Sequence, residues 1–334
     1  MEQVPRTNAE SSGLEVERNT LKALMRRSDR PGLIWLAKWL LLMVVSGYAL
    51  HLSFGSLWVV PAMIWYGFAL VLPTYSLSHE CAHGTAFRMR WLNELMFWLS
   101  SLVYIEEPLH RRYAHATHHT YTSIDRLDGQ MVFANAYTFP VWLREVSGLG
   151  QYLYEFPLLF RNAMGRFSDE VRRYTPANEL PRLKWNARAF LLIYIGGGLA
   201  AWIFAAHWVW WYIVIPRLVG GPLMIAVTLI QHAESDVDVY DLKQSTRSVR
   251  TNPLGEFLYL NMNYHIEHHA HSGVPFFALP ELNRQLRERL PEPDPGIIHT
   301  NLEVLWVVLK RSLGLDTRAP SIRQGASMLR GQAS

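Results

Sequence analysis

WLLLMVVSGYALHLSFGSLWVVPAMIWYGFALVLPTYSLSH, residues 39–79, contains no Asp, Glu, Lys or Arg. As continuous helix this stretch would extend roughly 60 Å at about 1.5 Å per residue, twice a hydrocarbon core of about 30 Å. It therefore predicts two antiparallel spans, over about residues 33–52 and 57–78. The turn falls at Leu52–Ser56 (LSFGS), where Gly and Ser interrupt the apolar pattern. A second stretch, Ala189 to Ala233, carries one charged side chain, Arg217, and predicts spans over about residues 189–206 and 211–231. Trp202, Trp208, Trp210 and Trp211 bracket its turn, as expected of amphipathic rings at headgroup level. The fold class expected is an all-α membrane protein whose four transmembrane helices form two hairpins.

Apart from Arg217, every Lys and Arg lies before, between or after the two stretches 39–79 and 189–233, and neither tip has one. The positive-inside rule then puts both termini and the middle region on the cytoplasmic side. The same bias accounts for the net charge of +4 without nucleic acid as a partner. Leu92 to Ile105 is too short to span and is expected to re-enter or lie at the interface, as is the aromatic segment from Tyr137 to Phe160. Residues 1–30 read as a polar, solvated N-terminal tail without the apolar run of a secretory signal, and 313–334 as a polar C-terminal tail, leaving a membrane domain over 31–312. No internal repeat is visible. The single cysteine, Cys81, excludes an internal disulfide and a built-in iron–sulfur cluster, so electrons, where needed, must come from a partner.

Fourteen histidines are present, and nine fall into a pattern. His79 and His83 stand in HECAH; His115, His118 and His119 in HATHH; His232 in QHAE; His265, His268 and His269 in HIEHH. On a helix, residues at i, i+3 and i+4 share one face, so each cluster can aim its imidazoles at one point. All nine sit at the cytoplasmic ends of spans or in cytoplasmic segments, which predicts a histidine-lined helical cap. One ion rarely takes more than six such ligands, so this many converging imidazoles imply two ions, and imidazole suits iron, zinc and copper alike. His51, His110, His207, His271 and His299 read as ordinary core or surface residues.

HECAH is also H-E-x-x-H, the zinc-hydrolase signature in which the glutamate is the general base, and Leu127-Asp128-Gly129 offers a third ligand. That alternative, a zinc-dependent membrane hydrolase, leaves HATHH, His232 and HIEHH without a task. A metal transporter would place its ligands at mid-membrane, where these spans carry nothing but Arg217.

With its boxes in order along two hairpins, the chain resembles the integral-membrane fatty-acid desaturase and hydroxylase superfamily, over roughly residues 33 to 300. QHAE, TNPLGEFLYLNMNYHIEHH and VPFFALPEL are most similar to its rhizopine-oxygenase-like branch. The resemblance implies a non-haem centre of two iron ions (Fe2+/Fe3+) with O2 as co-substrate, held by the nine histidines. It implies desaturation or hydroxylation of a C–H bond in a lipid or small metabolite. It also implies electrons from a separate ferredoxin or Rieske-type protein with a reductase, and a place in a bacterial cytoplasmic membrane.

Neutral imidazoles leave the charge of two cations uncompensated, so carboxylates are expected as outer acceptors: Glu80, Glu106, Glu107, Asp125, Asp128, Glu234, Asp236 and Glu267. Arg217 is expected to pair with an anionic substrate group or a buried carboxylate, or to lie at the interface if its helix begins near Ile215.

Overall fold

The computed structural model describes residues 8–130 and 138–315. Residues 1–7, 131–137 and 316–334 lie outside the described residues, among them Tyr137 and most of the expected C-terminal tail. Among the described residues there is no strand; the chain is helical throughout, with one isolated bridge, Val249–Asp294. Two short helices, α1 (Asn8–Ser12) and α2 (Arg18–Leu24), precede α3 (Asp29–Ser53) and α4 (Val59–Ala82). Then come α5 (Arg90–Tyr104), α6 (Pro108–Thr120), α7 (Phe139–Val146), α8 (Leu149–Ala163) and α9 (Asp169–Tyr174). Two long helices follow, α10 (Leu180–Ile203) and α11 (His207–Gln231). The remainder is α12 (Leu242–Ser245), α13 (Pro253–Tyr259), α14 (His265–Ala270), α15 (Leu279–Leu286) and α16 (Ile297–Ser312).

Among the described residues, helices α3, α4, α10 and α11 are the four that are long and apolar enough to cross a membrane. The chain is thus a multi-pass membrane protein of all-α class. The third of these helices begins at Leu180, earlier than the residue near 189 expected from charge, because an amphipathic first section continues without a break into the apolar one. The exposed face of α3 (Leu40, Leu41, Val44, Val45, Tyr48, Leu52) is continuous and apolar, as a lipid-facing surface requires.

Helix α3 packs on its neighbour α4, and α11 packs chiefly on α4, whereas α10 packs mainly on α8. Two glycines permit the α4–α11 crossing. A Cβ on Gly220 would sit 2.1 Å from the Gly67 carbonyl oxygen, and one on Gly67 would sit 2.5 Å from the carbonyl oxygen of Pro216. Small residues at such a crossing let two backbones touch.

Arg217 is buried inside α11, not interfacial, and its partners are neither a carboxylate nor an open anion site. Its Nε donates to the Val103 carbonyl (2.8 Å), and Nη2 to the Tyr104 carbonyl (3.0 Å) and Gln151 Oε1 (2.7 Å). These carbonyls end α5, whose last turn has no helical donors for them and carries the negative end of its dipole. The arginine thereby satisfies a buried helix terminus.

Residues 8–30, expected as a solvated tail, also fold against the body. Leu14 is fully buried with Ile266, Leu279 and Leu282 on the outer face of α14. The reason is one apolar residue whose partners lie some 250 positions away and leave no local trace. His271, read as a surface residue, donates from Nε2 to the Leu14 carbonyl at 2.8 Å and so ties this segment down.

Candidate metal centre

Three helix ends and one loop residue meet beneath the long helices. His79 lies in the last turn of α4, and His83 follows as its cap. Helix α6 starts sharply because Pro108 occupies its first turn and Glu107 accepts from the Leu109 and His110 amides at 3.0 and 2.6 Å. That start sets the phase with which His115, His118 and His119 arrive. His265, His268 and His269 share α14, and His232 is the first residue after α11.

The structure brings all nine sequence-predicted histidines together. Ligand atoms of His79, His83, His115, His119 and His268 lie within 4.8 Å of one another, and those of His118, His232 and His269 form a second such group. His265 joins the second group, its Nε2 standing 3.1 Å from Nε2 of both His232 and His269. In the first group, Nε2 of His115 is 3.0 Å from that of His83 and 3.1 Å from that of His119. The groups adjoin through the stacked rings of His119 and His269, 4.1 Å apart. Among the described residues, His51, His110, His207, His271 and His299 belong to neither group.

These distances fit a metal. Nitrogens about 2.1 Å from one ion and cis to each other are about 3.0 Å apart. The ring orientations fit as well. Nδ1 of five imidazoles faces outward: His115 to Gln130 Oε1 (2.7 Å), His118 to Asp128 (2.9 Å), and His232 to the Ser245 carbonyl (3.0 Å). The other two are His269, facing Thr122 Oγ1 (3.0 Å), and His265, facing the Gln231 amide (2.9 Å). Turned over, that amide would present its oxygen to His265. An Nδ1 engaged outward leaves Nε2 for the centre. The deepest rings supply the sharpest test. Both ring nitrogens of His79 and of His268 are buried with no hydrogen-bond partner among the described residues. Such orphaned polar atoms are costly unless something binds them, and a cation does.

Electrostatics agree. Burial, and after it Arg111, pushes His83 down to about 3. Burial, and after it His118, does the same to His232. His115, His119, His265, His268 and His269 are also held well below the usual range, by burial first and then because neighbouring imidazoles would repel an added proton's charge. These seven imidazoles are therefore neutral and ready as ligands.

Only one of the eight expected outer carboxylates, Asp128, meets the ring of a cage histidine. Burial opposes ionisation of Asp128, but His118 and the amides of Gln130 and Ser123 hold it below the usual carboxylate range. The others point elsewhere. Glu80 accepts from the Phe276 amide (2.9 Å), Glu106 pairs with Arg111, Glu107 caps α6, and Glu267 takes the Ser248 hydroxyl (2.7 Å). Glu234 pairs with Arg311, Asp125 is a surface residue beside Arg126, and Asp236 meets Gln244 through its own backbone amide. For Glu80 and Glu267 the reason is helical geometry: a residue next to a metal-facing histidine is turned about 100° from it. Sequence reasoning missed Thr122, Gln130, Gln231 and Ser245, which are neutral and so carry no charge signal.

The same geometry removes the zinc-hydrolase reading. Glu80 is turned toward Phe276 and away from the imidazoles, and Asp128 serves His118 as an acceptor, not His79 and His83 as a third ligand. Beside the imidazoles lies a cavity of about 110 Å³. It runs from Tyr75, Ile225 and Leu229 on the long helices to His79, His115 and His232, with Arg111 at its edge.

Comparison with known proteins agrees with this arrangement. The fatty acid desaturase family model matches residues 56–301. The chain is 25% identical over 255 residues to the sn-1 acyl-lipid omega-3 desaturase (ferredoxin) of Nostoc sp. (strain 36), covering 71% of this chain and 69% of that protein. It is 26% identical over 275 residues to the sn-1 oleoyl-lipid 12-desaturase of Arthrospira platensis (74% and 70%). It is 24% identical over 277 residues to a Delta(12) acyl-lipid conjugase (11E,13E-forming) of Impatiens balsamina (75% and 71%). With four membrane-length helices and two histidine groups able to hold metal, this chain belongs to the fatty acid desaturase family and is a desaturase-like oxidoreductase.

Proposed function

We propose that the nine histidines hold two iron ions and that the protein is an O2-dependent desaturase of lipid acyl chains. The observation that carries this reading is the division of the imidazoles into two adjoining groups of five and four, with Nε2 directed inward. When bound, the irons supply the oxidising power that removes two hydrogens from a substrate, with O2 reduced to water by those hydrogens, two electrons and two protons. The residues of this chain do the rest. Tyr75, Ile225 and Leu229 give the cavity an apolar wall on the side of the long helices, where a hydrocarbon chain can lie against the imidazoles. Asp128, Gln130, Thr122 and the Ser245 carbonyl fix the rings. Burial excludes bulk water.

The name of the Nostoc relative supports a ferredoxin as electron donor. The absence of Lys and Arg from the connections at residues 54–58 and 204–206 supports a cytoplasmic metal centre in a bacterial membrane. We assign residues 31–312 to the membrane domain, with 8–30 covering α14 from outside. Hydroxylation uses the same cage and differs in where the C–H bond is held. The likeness of QHAE and HIEHH to the rhizopine-oxygenase-like branch makes a small metabolite the second substrate class.

The test is iron analysis with Mössbauer spectroscopy on detergent-purified, iron-57-enriched protein, joined to analysis of host acyl chains on expression. About two irons per chain and new double bonds support the proposal. One zinc that survives both His118→Ala and His268→Ala sinks it. Hydroxylated products, or none from lipid, redirect it to the second reaction or the second substrate.

A further inference from the structure

Eight of the nine histidines are set by helix periodicity, in pairs or triplets that one face aims together. His232 has no such partner. It follows the last turn of α11 with φ of −132°, and two residues later the chain passes through Glu234 at φ +54°. That left-handed conformation is one a non-glycine residue rarely adopts unless its surroundings hold it. Local sequence therefore does not place His232. Something outside the turn must.

We infer that Arg311, in the last turn of α16, is a positioning residue for His232 and acts through Glu234. Its guanidinium meets both carboxylate oxygens, Nη1 to Oε1 at 2.7 Å and Nη2 to Oε2 at 2.5 Å. The Glu234 side chain is 3% exposed and that of Arg311 15%, so the pair is largely shielded from water and its fork geometry fixes direction as well as distance. Arg247 ties the same turn from a second side. Its amide donates to the Gln231 carbonyl at 2.8 Å, and its Nε is anchored by Asp294 at 2.7 Å. Asn301, also on α16, donates to the Ala226 carbonyl in α11 at 2.8 Å. With the turn gripped on its outer side, the ring of His232 is left between the Ser245 carbonyl at Nδ1 and His265 at Nε2. The motif QHAE is thereby used in full. Gln231 serves His265, His232 faces the centre, the Ala233 carbonyl accepts from Arg247 (3.3 Å), and Glu234 receives the clamp.

The inference rests on the proposal that His232 is an iron ligand of the four-histidine group. It predicts selective damage: loosening the clamp should weaken the ion held by His118, His232, His265 and His269 and spare the one held by the five-histidine group. The experiment compares Arg311→Met, Arg311→Lys and the charge swap E234R/R311E with the wild type. Iron per chain, Mössbauer spectra and detergent melting temperature are read on each iron-57-enriched protein. The expected result is about two irons in the wild type and one in Arg311→Met, the second binding about tenfold to a hundredfold more weakly. Arg311→Lys should recover part of the second signal, and the swap more of it, while the spectrum of the remaining iron stays unchanged. Two irons with an unaltered spectrum in Arg311→Met overturn the inference. So does equal loss of both irons in Arg311→Lys together with a collapsed melting temperature, which marks the pair as general scaffolding. A wild type that never carries two irons instead defeats the two-iron proposal, and that outcome is separate.

Discussion

The two halves of the cage are built differently. The five-histidine half is made entirely by the ends of α4, α6 and α14, and its deepest members, His79 and His268, have no outer partner among the described residues. The four-histidine half contains a loop histidine, His232, and each of its members makes an outward contact: Asp128, Ser245, Gln231 and Thr122. Helix geometry alone can aim the first half. The second depends on contacts between distant segments, which makes it the half more easily disturbed from outside.

The largest effects that test this contrast come from the ligands themselves. His79→Ala and His232→Ala should each abolish turnover while lowering iron from about two per chain to about one. Loss of both irons in either variant would show that the halves are not independent. A smaller effect is expected one contact further out. Asp128→Asn should weaken the ion of the four-histidine half by about tenfold to a hundredfold, a range typical of an acceptor behind a metal-bound imidazole. Gln130→Leu should do less to the five-histidine half, because His115 there is one ligand among five. Equal losses in competitive chelator titrations would remove the distinction.

Proton competition should touch both halves alike. His83 and His232, one from each, are both held near 3, against about 6.5 in an unfolded chain. In metal-free protein the unfolded state binds protons that the folded cage refuses. Stability is therefore full above about pH 6.5 and falls as pH is lowered toward about 3, by up to about 1.4 kcal/mol per pH unit for each imidazole. Melting temperatures of the apoprotein at pH 7.5 and 5.5 measure this, and a flat profile refutes it. The smallest effect is expected for Thr122→Val, which removes one neutral acceptor from His269 and should cost no more than about 1.5 kcal/mol of metal affinity. A loss as large as that of Asp128→Asn would mean that charge is not what distinguishes the outer partners.

Much of this was legible because it is local. Each HxxxH or HxxHH cluster carries its own aim, and the charge-free stretches at 39–79 and 189–233 declare membrane length within themselves. The outer carboxylates were misjudged for the opposite reason. Closeness in sequence to a helical ligand means facing away from its target, so Glu80 and Glu267 went to Phe276 and Ser248, while Glu106 lies before α6 and went to Arg111. Arg217 was read correctly as needing partners, but backbone carbonyls at the end of another helix have no signature in side-chain identity.

The sequence by itself determined the number of membrane-length helices, the identity of the nine histidines and the metal chemistry they suit, because absence of charge and i, i+3, i+4 spacing act over one helix. The tertiary structure alone decided which histidines share a group, that α11 leans on α4, that Leu14 seals the far side of α14, and that Arg311 grips the turn after His232. These contacts join residues from 32 to 257 positions apart, and such contacts are fixed by how helices pack and not by any pattern within one of them.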